Sequence, residues 1–190
     1  LAGRRWAAAA FGQDKTSWSS EKSGRMPARN MDMTWITGRI AVGGGIWTAD
    51  NMAAVERAGV THIIDMQIEF DDTPLAKPLG IAVLWNAIDD DFQPKPPEVF
   101  ERGVQFARTA LNEEGTKLLI HCAAGVHRAP MMALAVLCSL SWKLEEAMHL
   151  IESKRPVVDF ADVYVKSVQR WLERAKGEHK VSARSERPMR

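Results

Sequence analysis

KLLIHCAAGVHRAP, residues Lys117–Pro130, joins an apolar run, a His-Cys pair, five residues and an arginine. Lys117–His121 is short, apolar and β-rich, which predicts a buried strand. Ala129–Leu140 is apolar nearly all round, which predicts a helix in the centre of the molecule. A strand thus delivers Cys122 to the C-terminal edge of a sheet, and a helix starts directly after Arg128. Open α/β sheets bind ligands at that edge. A short glycine-containing loop can turn successive backbone N–H groups inward as an anion nest. The following helix aims its free N–H groups and positive dipole end at the same point. Arg128 can grip two phosphate oxygens with its planar fork. The same surroundings favour thiolate over thiol, bringing a cysteine from about 8.5 to roughly 3.5–7.5. One loop could therefore hold a phosphate dianion and activate a nucleophile. Chance places His, Cys, Gly and Arg at this spacing in roughly one chain of this length in 5,000.

Outward from this unit, strands alternate with helices. Ile36–Gly43 reads as a strand running into the glycines Gly43–Gly45. Ala49–Ala58 reads as a helix with Thr48 as N-cap and Gly59 just past its end. Val60–Met66 and Ile81–Ile88 are apolar, β-branched strands. Pro96 and Pro97 open a helix reaching about Asn112, with Val99, Phe100, Gly103, Val104, Ala107 and Leu111 on one face. Leu144, Ala147, Met148 and Ile151 mark a further amphipathic helix. The last one buries Ala161, Tyr164, Val165, Val168, Leu172 and Ala175. The pattern predicts an α/β fold, a mostly parallel central sheet with helices on both faces.

The 190 residues suit one domain, and 46% hydrophobic with 26% charged is ordinary for a globular chain. Two cysteines make no disulfide framework and no zinc spacing, so a reducing, cytoplasmic setting is expected, with no metal and no cofactor. Cys138 lies too far along its helix to reach Cys122 and is expected in the core. The longest apolar run, Met131–Leu140, is far short of the ~20 residues that span a bilayer. The net charge of +1 is unevenly spread: Thr34–Glu173 holds 13 basic and 19 acidic residues, while residues 1–33 and 174–190 are basic. Basic ends can touch nucleic acid or anionic lipid, but solvated tails are the simpler reading, and no nucleic-acid partner is expected. Residues 1–33 lack apolar periodicity and read as a disordered or artefactual extension. The chain opens on Leu1, with Met26, Met31 and Met33 as possible starts and an organelle transit peptide as the alternative.

HCAAGVHRAP resembles the HCxxGxxR loop of the protein tyrosine phosphatase superfamily. The proline after the loop and the short chain resemble its dual-specificity branch. ITGRIAVGG (Ile36–Gly44), GVTHIID (Gly59–Asp65) and KRP (Lys154–Pro156) resemble flanking pieces of such domains, in the same order, from about Trp35 to Leu172. The resemblance implies a phosphatase domain over residues 34–175, followed by a basic flexible tail, 176–190. It implies Cys122 as nucleophile, Arg128 as phosphate ligand and an aspartate as proton donor, on a loop about thirty residues upstream. Asp89, Asp90 and Asp91 offer that acid, and the apolar-x-Asp pattern selects Asp90. Adjacent carboxylates repel, which would raise at least one pKa. Ala123, Ala124, Gly125, Val126, His127 and Arg128 would surround the substrate phosphate. His121 resembles the family histidine that orders the loop. The implied activity is metal-independent hydrolysis of phosphomonoesters on a phosphorylated protein or peptide. An open site is expected, with a sulfur that solvent can reach and a guanidinium free to meet an anion.

The departures from the family pattern also carry information. Most relatives place Ser or Thr where this chain has Ala129, so slower breakdown of a phosphocysteine is expected. The GxxRAP ending and Asp-Asp acid loop are similar to phosphatases of regenerating liver, but the chain ends Pro188-Met189-Arg190 without their prenylation box, and no membrane anchor is expected. A CxAGxxRAP-like loop also resembles glucan phosphatases, which leaves a non-protein substrate as an alternative. A phosphate-binding module without catalysis, suggested by Ala129, is a second alternative. Ala123, Ala124, Val126 and His127 include no Lys or Arg, unlike the loops of phosphoinositide phosphatases.

Overall fold

Short β-branched and leucine-rich runs bounded by Gly, Asp and Asn give short strands. The computed structural model describes residues 31–185. Its sheet comprises β1 (Met33–Trp35), β2 (Ile40–Gly43), β3 (His62–Asp65), β4 (Ala82–Trp85) and β5 (Leu118–His121), in the order β1-β2-β5-β3-β4. β2, β5, β3 and β4 run parallel, and β1 is antiparallel to β2. Parallel neighbours need crossover connections, and helices supply them. These are α1 (Ala49–Arg57), α2 (Thr73–Ala76) and α3 (Pro97–Leu111), while α4 (Arg128–Ser139), α5 (Leu144–Lys154) and α6 (Asp162–Ser185) follow the last strand.

Strand residues alternate between two cores. Leu118 and Ile120 face the larger one with Ile40, Val42 and Ile64, beneath α3, α4, α5 and α6. Leu119 faces the smaller one with Ala41 and Ile63, beneath α1 and α2. The expected α/β sheet covered on both faces is therefore present. α4 is buried from Arg128 to Leu137, as its unbroken apolarity predicts. Gly103 of α3 lets that helix approach α4 closely: a Cβ there would sit 2.5 Å from Met132 Sδ. Thr48 caps α1 by accepting the Asn51 N–H, and Gly59 follows in the left-handed region at φ +84°.

Besides α2, which the sequence reading did not contain, the structure differs from that reading in three places. The expected strand Ile36–Gly43 is a turn followed by β2, because Thr37 Oγ1 accepts from the Arg39 and Ile40 amides and folds the chain back on β1. β1 and Asp32 thus take part in the fold just upstream of the expected boundary at Thr34. The last helix continues past Ala175 to Ser185, through the stretch read as a flexible tail. Residues 1–30 and 186–190, the rest of the expected extension and tail, lie outside the described residues. Among the described residues no helix is long and apolar enough to cross a membrane.

Candidate active site

β5 lies between β2 and β3, and the chain leaves the sheet at Cys122. The loop that follows is held from outside through its carbonyls. Ala123 O accepts from Gly45 N at 3.0 Å, and Val126 O from Asp159 N at 3.0 Å. Arg155 Nε donates to Gly125 O at 3.0 Å and Arg155 Nη2 to Ala124 O at 3.4 Å. Four successive carbonyls therefore point outward. In a trans peptide the N–H lies opposite the C=O, so the amides of Ala124, Gly125, Val126 and His127 turn to the other side. The Gly125 amide reaches Cys122 Sγ at 3.3 Å. Gly125 has φ +65°, and a Cβ there would meet Arg155 Nη2 and Gly43 O at 2.5 Å, so glycine is required. Arg155 is fixed by a two-pronged pair with Asp32, both contacts 2.7 Å, and it holds the Asp32 carboxyl below the usual carboxylate range.

Arg128 is the first residue of α4 and only 2% exposed. Its fork is engaged by Glu69 from the loop after β3: Nη1 lies 2.9 Å from Oε2 and Nη2 2.8 Å from Oε1. Nη1 also donates to Ile88 O at 3.0 Å. Burial works against the arginine's charge, but Glu69, the nearby Cys122 sulfur and Asp90 outweigh it and raise its pKa. Arg128 in turn lowers the pKa of Glu69. Cys122 is 1% exposed. This corrects the expected open site: the sulfur is covered, and a carboxylate occupies the fork expected to meet phosphate. Carboxylate and phosphate offer the guanidinium the same planar pair of acceptors, so the fork has the geometry for either.

The three aspartates after β4 separate clearly. Asp89 is exposed. Asp91 is paired with Lys95, which lowers its pKa, so repulsion among neighbours does not govern that group. Asp90 faces the loop. Its Oδ1 accepts from Tyr164 Oη at 2.9 Å, its Oδ2 lies 3.1 Å from His127 Nδ1, and Arg128 Nε is 3.7 Å from Oδ2. Cys122, Arg128 and Asp90 thus converge on one sheet edge.

Beneath the loop, His121 Nε2 lies 2.9 Å from Asp72 Oδ2 and 3.7 Å from Asp65 Oδ1, all fully buried. Asp65 accepts the Gln67 and Asp72 amides, yet burial pushes its pKa up to about 6. These three residues present ligand atoms within 4.8 Å of one another, enough for a small cation, with His121 held by the same carboxylates. Ala129, Cys138 and α4 lie at the larger core. Burial, with Glu145 adding to it, pushes the Cys138 thiol up to about 11, which suits an inert packing residue.

Sequence reasoning missed Glu69 and the part Tyr164 plays at Asp90. Glu69 carries no local signal, because its partner is distant along the chain. Tyr164 sits at a core position of α6 and reads as packing until its hydroxyl is located.

A sequence model described as the dual specificity phosphatase catalytic domain matches residues 46–174. Mouse protein tyrosine phosphatase type IVA 3 is 32% identical over 104 residues, 53% of this chain and 58% of that protein. Rat protein phosphatase Slingshot homolog 3 is 30% identical over 117 residues, 60% of this chain and 17% of that protein. The chain thus spans little more than half of the first relative and a small part of the second. Among solved structures, PTPMT1 in complex with PI(5)P superposes with a TM-score of 0.69 at 19% identity, covering 78% of this chain and 99% of that one. A mouse putative dual specificity phosphatase complexed with zinc tungstate gives 0.67 at 19% identity, covering 83% and 97%. At these identities the likeness is one of fold.

Proposed function

The chain belongs to the dual-specificity phosphatase catalytic-domain family, and on that premise we propose that it hydrolyses phosphomonoesters through a phosphocysteine formed at Cys122. The observation that carries this reading is the convergence of Cys122, Arg128 and Asp90 above an outward-held loop whose amides turn inward. Substrate phosphate displaces Glu69 from Arg128 and takes its place in the fork. The loop amides and Arg128 then hold the three equatorial oxygens as charge builds. Cys122 thiolate attacks phosphorus in line, the ester P–O bond breaks, and Asp90 gives the leaving oxygen its proton. Water next attacks phosphorus and loses a proton to Asp90, while the S–P electron pair returns to sulfur. No step calls for a metal.

The substrate is proposed to be phosphotyrosine, phosphoserine or phosphothreonine in proteins. The rim supports this class over a polyphosphorylated one. Glu69, Asp89, Asp91 and Asp159 are exposed there, while Arg128, Lys95 and Arg155 are each bonded to a carboxylate. An acidic rim repels additional phosphates and favours basic flanking residues. The closed Glu69–Arg128 pair and Ala129 favour one further reading, a phosphate-binding module that does not turn over.

Hydrolysis of an aryl phosphate separates the two. Wild type is expected to turn over without metal and to be inhibited by vanadate. Cys122→Ser is expected to abolish turnover, and Asp90→Asn to lower it about 10²-fold or more. Binding of a phosphopeptide with no hydrolysis by wild type would establish the binding module instead. Equal rates on phosphoglucan and phosphopeptide would move the substrate class away from protein.

A further inference from the structure

Two side chains from different elements meet on the Asp90 carboxylate. Tyr164, on α6, donates its hydroxyl to Oδ1 at 2.9 Å and accepts the Phe92 amide at 3.0 Å. One phenol therefore ties both the carboxylate and the backbone of the acid loop. His127, from the phosphate loop, places Nδ1 3.1 Å from Oδ2, while its Nε2 lies 3.5 Å from Asp159. Phe92, a non-glycine residue at φ +54°, closes the cage. Its ring stacks on Tyr164 with centroids 5.8 Å apart and meets His127 edge-on at 5.1 Å. Burial, offset by the Phe92 amide and reinforced by Asp90, pushes the Tyr164 hydroxyl up to about 12, so it stays a donor.

We propose that Tyr164 and His127 are positioning residues for proton transfer at Asp90, fixing its carboxyl over the phosphate loop before substrate arrives. This rests on Asp90 being the proton donor. A carboxyl free to rotate would meet the leaving oxygen only part of the time, and preorganisation removes that loss at the moment of reaction. Tyr164 pins one oxygen, leaving Oδ2, on the His127 and Arg128 side, to carry the proton. As sulfur bonds to phosphorus and the ester bond breaks, that proton passes to the leaving oxygen. In the second half, water returns a proton to the same oxygen. The arrangement also accounts for His127, whose two ring nitrogens both face acidic side chains.

A leaving group that is already a good one needs little protonation, which gives the test its selectivity. Phenyl phosphate and 4-nitrophenyl phosphate are to be compared on wild type, Tyr164→Phe, Asp90→Asn and the double variant. Tyr164→Phe is expected to lower kcat about tenfold for phenyl phosphate and less than about threefold for 4-nitrophenyl phosphate, with KM within about twofold for both. In the Asp90→Asn background it is expected to add no further loss. Equal losses on both substrates, or a further loss in that background, would overturn the positioning role while leaving Asp90 as donor. A loss in Asp90→Asn that ignores the leaving group would overturn the donor reading and the inference with it. His127→Gln, at a half-buried position, carries the same comparison should Tyr164→Phe fold poorly.

Discussion

At Arg128 one anion holds the fork that the proposed chemistry needs for another. Glu69 holds it in the structure, and the proposed chemistry needs it for phosphate. Glu69→Gln keeps the shape but removes the charge that makes the pair strong. Vanadate and inorganic phosphate are expected to bind this variant about tenfold more tightly, a shift of about 1.4 kcal/mol measurable by inhibition titration. Weaker binding would mean that Glu69 holds Arg128 in a productive pose rather than covering it. Ala129→Ser, which places a hydroxyl in the first turn of α4, is expected to raise turnover by speeding release of sulfur from phosphocysteine; a slower enzyme would refute that expectation. At this scale the sequence was legible where chemistry is local. Cys122, Gly125 and Arg128 follow one another in a single short segment, and Asp90, which the pattern selected, is the aspartate of its run that lies against His127 and Arg128. Glu69 was not legible because it reaches Arg128 across 59 residues, and no periodicity links them.

The ends of β3 and β5 bring Asp65 and His121 together with Asp72, which immediately precedes α2, and all three are buried. The Asp65 pKa of about 6 lies above its unfolded value of about 3.9, so the native state holds this proton more tightly than the unfolded one. The resulting stabilisation is fully present below about pH 4 and is lost as pH rises through about 6, an effect on the order of 3 kcal/mol. Asp65→Asn is therefore expected to flatten the stability profile between pH 4 and 6 and to gain on wild type at pH 7. Urea unfolding at the two ends of that window checks it; a variant that loses more stability at pH 7 than at pH 4.5 would contradict the assignment. Elements with a capping signal or sustained apolar period were legible, as with α1, α3 and α4. β1 and α2 were not, because three or four residues hold no period, and their place is set by partners elsewhere, β2 in one case and the Asp72–His121 contact in the other.

The molecule as a whole is a sheet with a large core on one face and a small one on the other, and α4 runs through the larger. That core carries the loop: α4 starts at Arg128 and is buried to Leu137, so the fork cannot shift without moving packed side chains. Leu134→Ala is expected to cost about 2–5 kcal/mol in urea unfolding. The architecture was legible because strand and helix periods alternate along the chain. The closed state of the site was not, because closure depends on which side chains face each other once the sheet is formed. In the proposed chemistry the Cys122 sulfur, cradled by inward amides, becomes covalently phosphorylated. The most direct measurement is rapid acid quench during turnover of a phosphorus-labelled aryl phosphate, followed by peptide mapping. The account predicts label on the peptide containing Cys122 in wild type, and neither that label nor turnover in Cys122→Ser. Turnover without protein-bound phosphate, or turnover that survives Cys122→Ser, would contradict it.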